Sequence, residues 1–143
     1  WMDTRYGPGT VKVVAYDKDG KAVAEKEIHT AGAPHHLELI PDRKIIEADG
    51  KDLSFVTVRI VDKEGNLCPG AGHLLNFKVK GTGTYRAGTN GDPACLDLFH
   101  LPQMHAFNGM MTAIVQSSDN AGKIVLEVTG KGLKKATLVI ESR

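Results

Sequence analysis

Hydrophobic and polar residues alternate with a period of two along most of the chain, as expected for strands whose two faces meet different surroundings. The clearest case is residues 54–61, where Val56, Val58 and Ile60 share one face. The same pattern predicts further strands at residues 11–16, 21–30, 36–40, 44–48, 75–79, around Tyr85, and at 110–116, 123–129 and 135–141. No stretch has a helical stripe. The sequence therefore predicts an all-β protein, an immunoglobulin-like antiparallel β-sandwich of about seven strands preceded by a β-hairpin.

A short run of small residues and proline, residues 31–34, separates the hairpin from the later strands and predicts a linker. Residues 14–21 also resemble residues 59–66 at an offset of 45 positions, and both read as strand, acidic turn and strand. A hairpin alone buries no core. We therefore expect residues 1–33 to be the terminal hairpin of a preceding β-domain, residues 34–143 to form the sandwich, and the chain to be part of a longer protein.

Composition narrows the classes of partner. The 143 residues carry 18 lysines and arginines against 17 acids, a net charge of +1. Such a balance gives no basic surface for a phosphate backbone, so we expect no nucleic-acid partner. No run approaches the length of apolar residues that a spanning helix needs, so no membrane insertion is expected. The first ten residues lack the basic and apolar regions of a signal peptide.

The sequence gives only weak evidence for a metal site. The turn at residues 17–20 resembles the start of a calcium loop, but Lys21 and Ile28 stand where oxygen ligands are needed, so a plain turn is predicted. His100 and His105 flank a proline and leave a surface zinc site as an alternative. We predict no metal site and no cofactor.

Two cysteines, Cys68 and Cys95, are too few for a disulfide scaffold, and either a single bridge or two unpaired thiols is compatible with their positions. Cys95, Asp97 and His100 contain the residue types of a nucleophilic triad. All three lie on one loop, however, whereas such triads are usually assembled from distant segments. We predict no catalytic residue.

The irregular segment 89–105 is the longest in the chain, and long loops in compact domains tend to carry function or to cover another surface. It begins at the turn Asn90-Gly91-Asp92-Pro93 and carries several apolar residues. Tyr85 on the preceding strand and Asn90, Asp92 and His100 on the loop are the weak candidates for ligand binding.

Several blocks resemble, in order, the C-terminal part of bacterial β-galactosidases of glycoside hydrolase family 2. Residues 9–32 are similar to the last hairpin of the domain that precedes the C-terminal immunoglobulin-like domain in those enzymes. Residues 41–58, 62–66, 90–93, 106–109 and 114–117 continue the resemblance through that domain. The loop departs from it, because Ala94-Cys95-Leu96-Asp97 is more apolar than the Thr-Ser-His-Glu found in relatives.

The resemblance implies a non-catalytic accessory region, because the catalytic glutamates of that family lie on a barrel that no part of this sequence matches. It implies a structural role in packing against other domains of the parent hydrolase, and a periplasmic or extracellular location. Two alternatives stay open. One is a carbohydrate-binding module, which the scarcity of aromatic residues disfavours. The other is an immunoglobulin-like spacer of a surface protein.

Overall fold

The computed structural model describes residue 5 and residues 7–143, and these form eleven strands. The strands are β1 (Thr10–Tyr16), β2 (Ala22–His29), β3 (His36–Pro41), β4 (Ile45–Ile46), β5 (Leu53–Val61), β6 (Leu74–Gly81), β7 (Gly83–Thr89), β8 (Gln103–His105), β9 (Met110–Ser117), β10 (Gly122–Gly130) and β11 (Ala136–Ser142). Within the described residues, no helix is long and apolar enough to cross a membrane.

Two sheets form the body of the fold. One has the order β4-β11-β10-β6-β8 and the other the order β3-β5-β9-β7, while β1 and β2 form a separate hairpin. All neighbouring strands are antiparallel except β4 and β11, which run parallel where Ile45 pairs with Glu141. The predicted all-β immunoglobulin-like sandwich is confirmed. Nine strands follow residue 33 rather than about seven, and the strand that the sequence does not predict is β8, which pairs with β6 at the end of the segment predicted as irregular.

The core lies between the inner faces of the two sheets. Val56, Val58 and Ile60 of β5 are completely buried there, as the alternation predicts. The other sheet contributes residues of β6 and β10 such as Leu75 and Leu126, which are also completely buried. Side chains that alternate in this way fill the space between two packed sheets and give the sandwich most of its stability.

The chain passes from one sheet to the other at Gly81, the last residue of β6. Its backbone is left-handed, with φ +91°, and a Cβ there would collide with the carbonyl oxygen of Lys123. Only glycine satisfies both constraints at low cost. This residue therefore lets β6 and β7 follow each other directly while they belong to different sheets.

The segment between the hairpin and the sandwich is attached to the end of β5. The backbone N–H of Gly32 donates to Oδ2 of Asp62 at 2.8 Å, and the N–H of His35 donates to the carbonyl of Val61 at 2.9 Å. The thiol of Cys68 lies 3.7 Å from the carbonyl oxygen of Gly32. The boundary predicted after residue 33 lies within this attached segment, and the division into two domains stays a prediction.

Candidate functional site

The candidate site is the loop between β7 and β8, residues 90–102, which we call the apolar loop. Four hydrophobic side chains project from it. Leu96 is 94% exposed, Leu98 56% and Phe99 61%. Leu101 is 36% exposed and His100 lies on the surface beside it. Several exposed apolar side chains on one loop are typical of surfaces that meet another molecule or domain.

Asn90 and Asp92 shape the start of the loop. The Asn90 amide nitrogen Nδ2 donates to the carbonyl of His105 at 3.0 Å and lies 3.3 Å from the Cys95 sulfur. Its Oδ1 accepts the N–H of Asp92 at 3.0 Å, and Asp92 Oδ1 accepts the N–H of Ala94 at 2.9 Å. These two candidate ligand-binding residues therefore form hydrogen bonds within the loop and, through Asn90, to β8.

Asp97 fastens the middle of the loop to β8. Its Oδ2 accepts the backbone N–H of His105 at 2.8 Å and lies 2.9 Å from Nδ1 of the same residue. The backbone N–H of His105, followed by its side chain, lowers the pKa of the Asp97 carboxyl below the ordinary value. The sequence analysis considered Asp97 together with His100 as members of a triad, but in the structure Asp97 binds His105. The reason is that β8 pairs with β6 and returns His105 to the loop.

Tyr85, the remaining candidate, lies between the two sheets. Its ring stacks on Phe77 of β6, with ring centres 5.3 Å apart and planes inclined by 15°. Its hydroxyl is buried without a hydrogen-bond partner in the described structure, and burial raises the pKa of Tyr85 to about 12. One face of the ring is thus occupied, and a role for Tyr85 in stacking on a sugar stays a prediction.

The described residues line two concavities, of which only the smaller adjoins the apolar loop. A shallow depression of about 320 Å³ lies on the outer face of the four-stranded sheet, and its lining is Thr57, Thr89, Asn90, Gly91, Met110, Met111 and Thr112. A wider groove of about 1110 Å³ separates the hairpin from the sandwich. Val11 and Ile28 of the hairpin line this groove on one side, and Arg59, Leu67 and Pro69 line it on the other.

Both cysteines are free thiols, so the alternative of a bridge between Cys68 and Cys95 is not realised. Burial, assisted by the nearby charge of Asp62, raises the pKa of the Cys68 thiol. Among the residues that the structure describes, no three His, Cys, Asp or Glu side chains are grouped so as to hold a metal ion. The described residues therefore provide no third ligand for the alternative zinc site at His100 and His105.

The fold and the exposed loop define an immunoglobulin-like β-sandwich that presents an apolar surface. Residues 37–139 match the C-terminal domain 5 of glycoside hydrolase family 2. The chain belongs to this family, as the resemblance predicts.

Relatives support the same assignment. The chain is 46% identical over 138 residues to the β-galactosidase BoGH2A of Bacteroides ovatus, covering 96% of this chain and 16% of that protein. The crystal structure of a β-glycosidase from Bacteroides vulgatus superposes with a TM-score of 0.91 at 31% identity, covering 95% of this chain and 18% of that one. A family 2 member from Bacteroides cellulosilyticus gives a TM-score of 0.90 at 29% identity, covering 98% and 18%. The chain thus spans less than a fifth of the length of these relatives.

Proposed function

We propose that this chain is a non-catalytic accessory region of a β-galactosidase-like family 2 hydrolase, with a structural role in packing against its other domains. The observation that carries the proposal is the apolar loop, which holds exposed hydrophobic side chains in a fixed arrangement. The small share of each relative that the chain covers supports a role within a larger enzyme.

Hydrogen bonds hold the loop in one arrangement without a partner. Besides the Asn90, Asp92 and Asp97 bonds, the carbonyl of Phe99 accepts the N–H of Gly88 at 2.8 Å, and the N–H of Leu101 donates to the carbonyl of Leu98 at 3.1 Å. A surface that is already ordered loses little conformational entropy when it docks. Rigid apolar side chains at the centre of a contact also contribute most of its binding energy.

The carboxyl groups support the non-catalytic part of the proposal. A glycoside hydrolase needs one carboxylic acid whose pKa is raised so that it can protonate the leaving group. In the described part of the chain, every carboxyl group whose pKa departs from its ordinary value departs downward. Backbone N–H donors are the main cause in Asp49, Asp52, Asp62 and Asp97, and the Lys80 ammonium is the main cause in Glu127.

The catalytic half of the proposal is tested on the 143-residue chain with chromogenic β-galactoside and β-glucuronide substrates. We expect no turnover above buffer. Hydrolysis that copurifies with the chain through two further columns would overturn the non-catalytic assignment.

The packing half is tested by replacing the aligned region of the Bacteroides ovatus enzyme with this chain. We expect the double variant Leu96→Ser, Phe99→Ser to lower the thermal midpoint of the grafted enzyme while kcat of the folded enzyme stays unchanged. Val139→Ser is the matched control, because Val139 is 49% exposed on β11, far from β8 in the sheet order. Equal midpoints for the loop variant and the control would contradict packing through the loop.

A carbohydrate-binding module is the second candidate, and the depression beside Asn90 is the observation that favours it. An NMR titration of the chain with galactose and lactose separates the two functions. Localised shifts at Tyr85 and residues 89–105 would support sugar binding, whereas a flat titration would leave the packing role.

A further inference from the structure

The outer faces of the two sheets differ in charge. In the described chain, the central strands β5 and β9 of the four-stranded sheet present one charged side chain outward, that of Arg59, which pairs with Glu38 at 2.7 Å. On the five-stranded sheet, β6 presents Lys78 and Lys80 next to Glu127 of β10. The net charge of +1 therefore does not reveal a local concentration of lysines.

Three lysines act on the Glu127 carboxylate. Nζ of Lys80 lies 2.7 Å from its Oε1, and Lys78 pairs with Glu127 across β6 and β10. Lys135 is the third lysine and stands directly before β11, the strand on the other side of β10. The Lys80 ammonium is the main cause that lowers the pKa of Glu127, and the charges of Lys135 and Lys78 add to it. Lys78, Lys80 and Lys135, which we call the lysine cluster, thus carry three positive charges against one negative charge on Glu127.

Two members of the lysine cluster have no anionic partner. Lys78 and Lys135 are exposed, and neither takes part in an ion pair within the described residues. Lys123, also exposed, lies on the same face of β10 as Glu127 and extends the basic surface. A single exposed ion pair is weak in water, whereas one ligand that reaches several ammonium groups gains from each of them at once.

The lysines are spread over a flat surface. Lys78 and Lys80 leave β6 about 6.7 Å apart, and β11 lies about 10 Å from β6, with β10 between them. Neither of the two concavities described above is lined by a member of the lysine cluster. Charges at this spacing on a flat sheet do not enclose a small anion. They match a linear ligand that repeats its negative charges along its length.

The neighbouring side chains are suited to a polar ligand. Asn76, Thr129 and Thr137 are exposed on the same face, and their amide and hydroxyl groups can hydrogen-bond sugar hydroxyls. The structure describes β6, β10 and β11 in full, and their outward positions hold no Trp, Tyr or Arg, the residues that dominate protein contacts. These positions also lack an aromatic ring on which a nucleic-acid base would stack. An acidic polysaccharide therefore fits this face better than a protein or a nucleic acid.

We infer that the lysine cluster binds a polyuronate, a polysaccharide whose sugar rings carry carboxylates, along the outer face of the five-stranded sheet. Lys78 and Lys135 bind ligand carboxylates through their ammonium groups, and Lys80 exchanges its bond to Glu127 for one to the ligand. This surface lies on the opposite sheet from the depression beside Asn90. The inference goes beyond the packing role and does not depend on the apolar loop.

The test is an NMR titration of the 143-residue chain with polygalacturonate at low salt. We expect shifts confined to the amides of residues 74–81, 122–130 and 135–142. High salt should abolish these shifts, because it screens exposed charges. Neutral galactan, which lacks carboxylates, should cause no shifts at these amides.

Lysine variants separate this surface from the net charge of the chain. The double variant Lys78→Gln, Lys135→Gln should weaken binding about tenfold, because two exposed ion pairs to the ligand are lost. Lys18→Gln, Lys63→Gln is the matched control, because it removes the same charge from two exposed turns. The control should keep its affinity within about twofold. Equal losses in the two double variants would show that binding follows net charge alone and would overturn the inference.

Glutamate variants give a readout of opposite sign. Glu127→Gln should strengthen binding about threefold, because it releases Lys80 and removes a charge that repels the ligand. Glu25→Gln is its control, since Glu25 pairs with Lys12 at 3.0 Å on the hairpin, and it should leave the affinity unchanged. Weaker binding by Glu127→Gln than by the unsubstituted chain would contradict the role of the lysine cluster.

Three other results would also overturn the inference. The first is a titration with polygalacturonate that causes no shifts. The second is tighter binding of a single-stranded oligonucleotide, which would assign the lysines to nucleic acid. The third is equal binding of polygalacturonate by the Bacteroides ovatus enzyme grafted with this chain and by the same graft carrying the Lys78→Gln, Lys135→Gln variant, which would place the lysines in a domain contact. The thermal midpoints of the loop variants test the packing role separately.

Discussion

Val58 and Val13 are the same residue type at the same place in two copies of one strand and turn, but they differ in burial. Val58 has no exposed surface, and Val13 is 62% exposed. Replacing each by alanine removes the same atoms from equivalent backbone positions, so β-propensity and strand geometry cancel between the two variants. The difference in the free energy of unfolding then reports burial alone.

The structure sets the expected size of that difference. Val58→Ala removes two fully buried methyl groups, a transfer loss of about 1.6 kcal/mol. A residual cavity of roughly 50 Å³ adds about 1 kcal/mol. We expect a total of about 2–3 kcal/mol, which is a large share of a typical domain stability. Val13→Ala leaves no enclosed cavity and loses about a third of the transfer term, or about 0.5 kcal/mol.

Urea unfolding followed by far-UV circular dichroism measures both variants, and thermal unfolding should show a fall of about 10 °C for Val58→Ala. The slope of the unfolding free energy against urea concentration should match that of the unsubstituted chain, so that only the urea midpoint shifts. A loss of stability below about 1 kcal/mol for Val58→Ala would refute the assignment of Val58 to a buried face. A loss for Val13→Ala as large as that for Val58→Ala would refute the assignment of Val13 to an exposed face.

Three further predictions concern single residues. Folding lowers the pKa of Asp62 from 3.8 to about 2. The ionised carboxylate therefore stabilises the fold fully above pH 3.8, and this stabilisation is lost as the pH falls through about 2. Asp62→Asn should therefore flatten the acid decline of the urea midpoint, and parallel profiles would contradict this. Gly109→Ala should cost more than about 3 kcal/mol, because φ is +75° and the Cβ would collide with the Cys68 carbonyl. Gly132→Ala, with φ +76° and no atom within 4 Å, should cost about 1 kcal/mol by the same unfolding assay, and equal costs would count against the collision. Iodoacetamide should label Cys95 before Cys68, whose pKa burial raises, and peptide mass spectrometry showing equal rates would contradict that order.

The long strands could be predicted because buried and outward positions alternate in step with apolar and polar residues. In β5 and β10 alternate residues are buried and outward, so the period of two is visible without coordinates. The strand predicted at residues 44–48 shortens to Ile45–Ile46, because its pairing partner is the parallel strand β11, at a separation that no local pattern reveals.

The candidate site could be predicted only as a loop. Its length and apolar residues are visible in the sequence, but the partner of Asp97 is chosen by strand pairing. His105 meets Leu74 across β8 and β6, and this contact returns it to Asp97. The contact between Asp62 and Gly32 likewise spans thirty residues. The repeat at residues 14–21 and 59–66 is the sequence signal that marks Asp62, although it indicates a turn and not the incoming segment.

The attachment of residues 32–35 to the end of β5 has a consequence for molecular tethering. Three contacts fix this segment, at Gly32, at His35 and at the Cys68 thiol, so it does not behave as a free flexible linker. A flexible linker spreads the effective concentration of two joined modules over a wide volume, whereas a fixed one holds it at a single distance and direction. The hairpin is thus held beside the groove that Arg59 and Leu67 line.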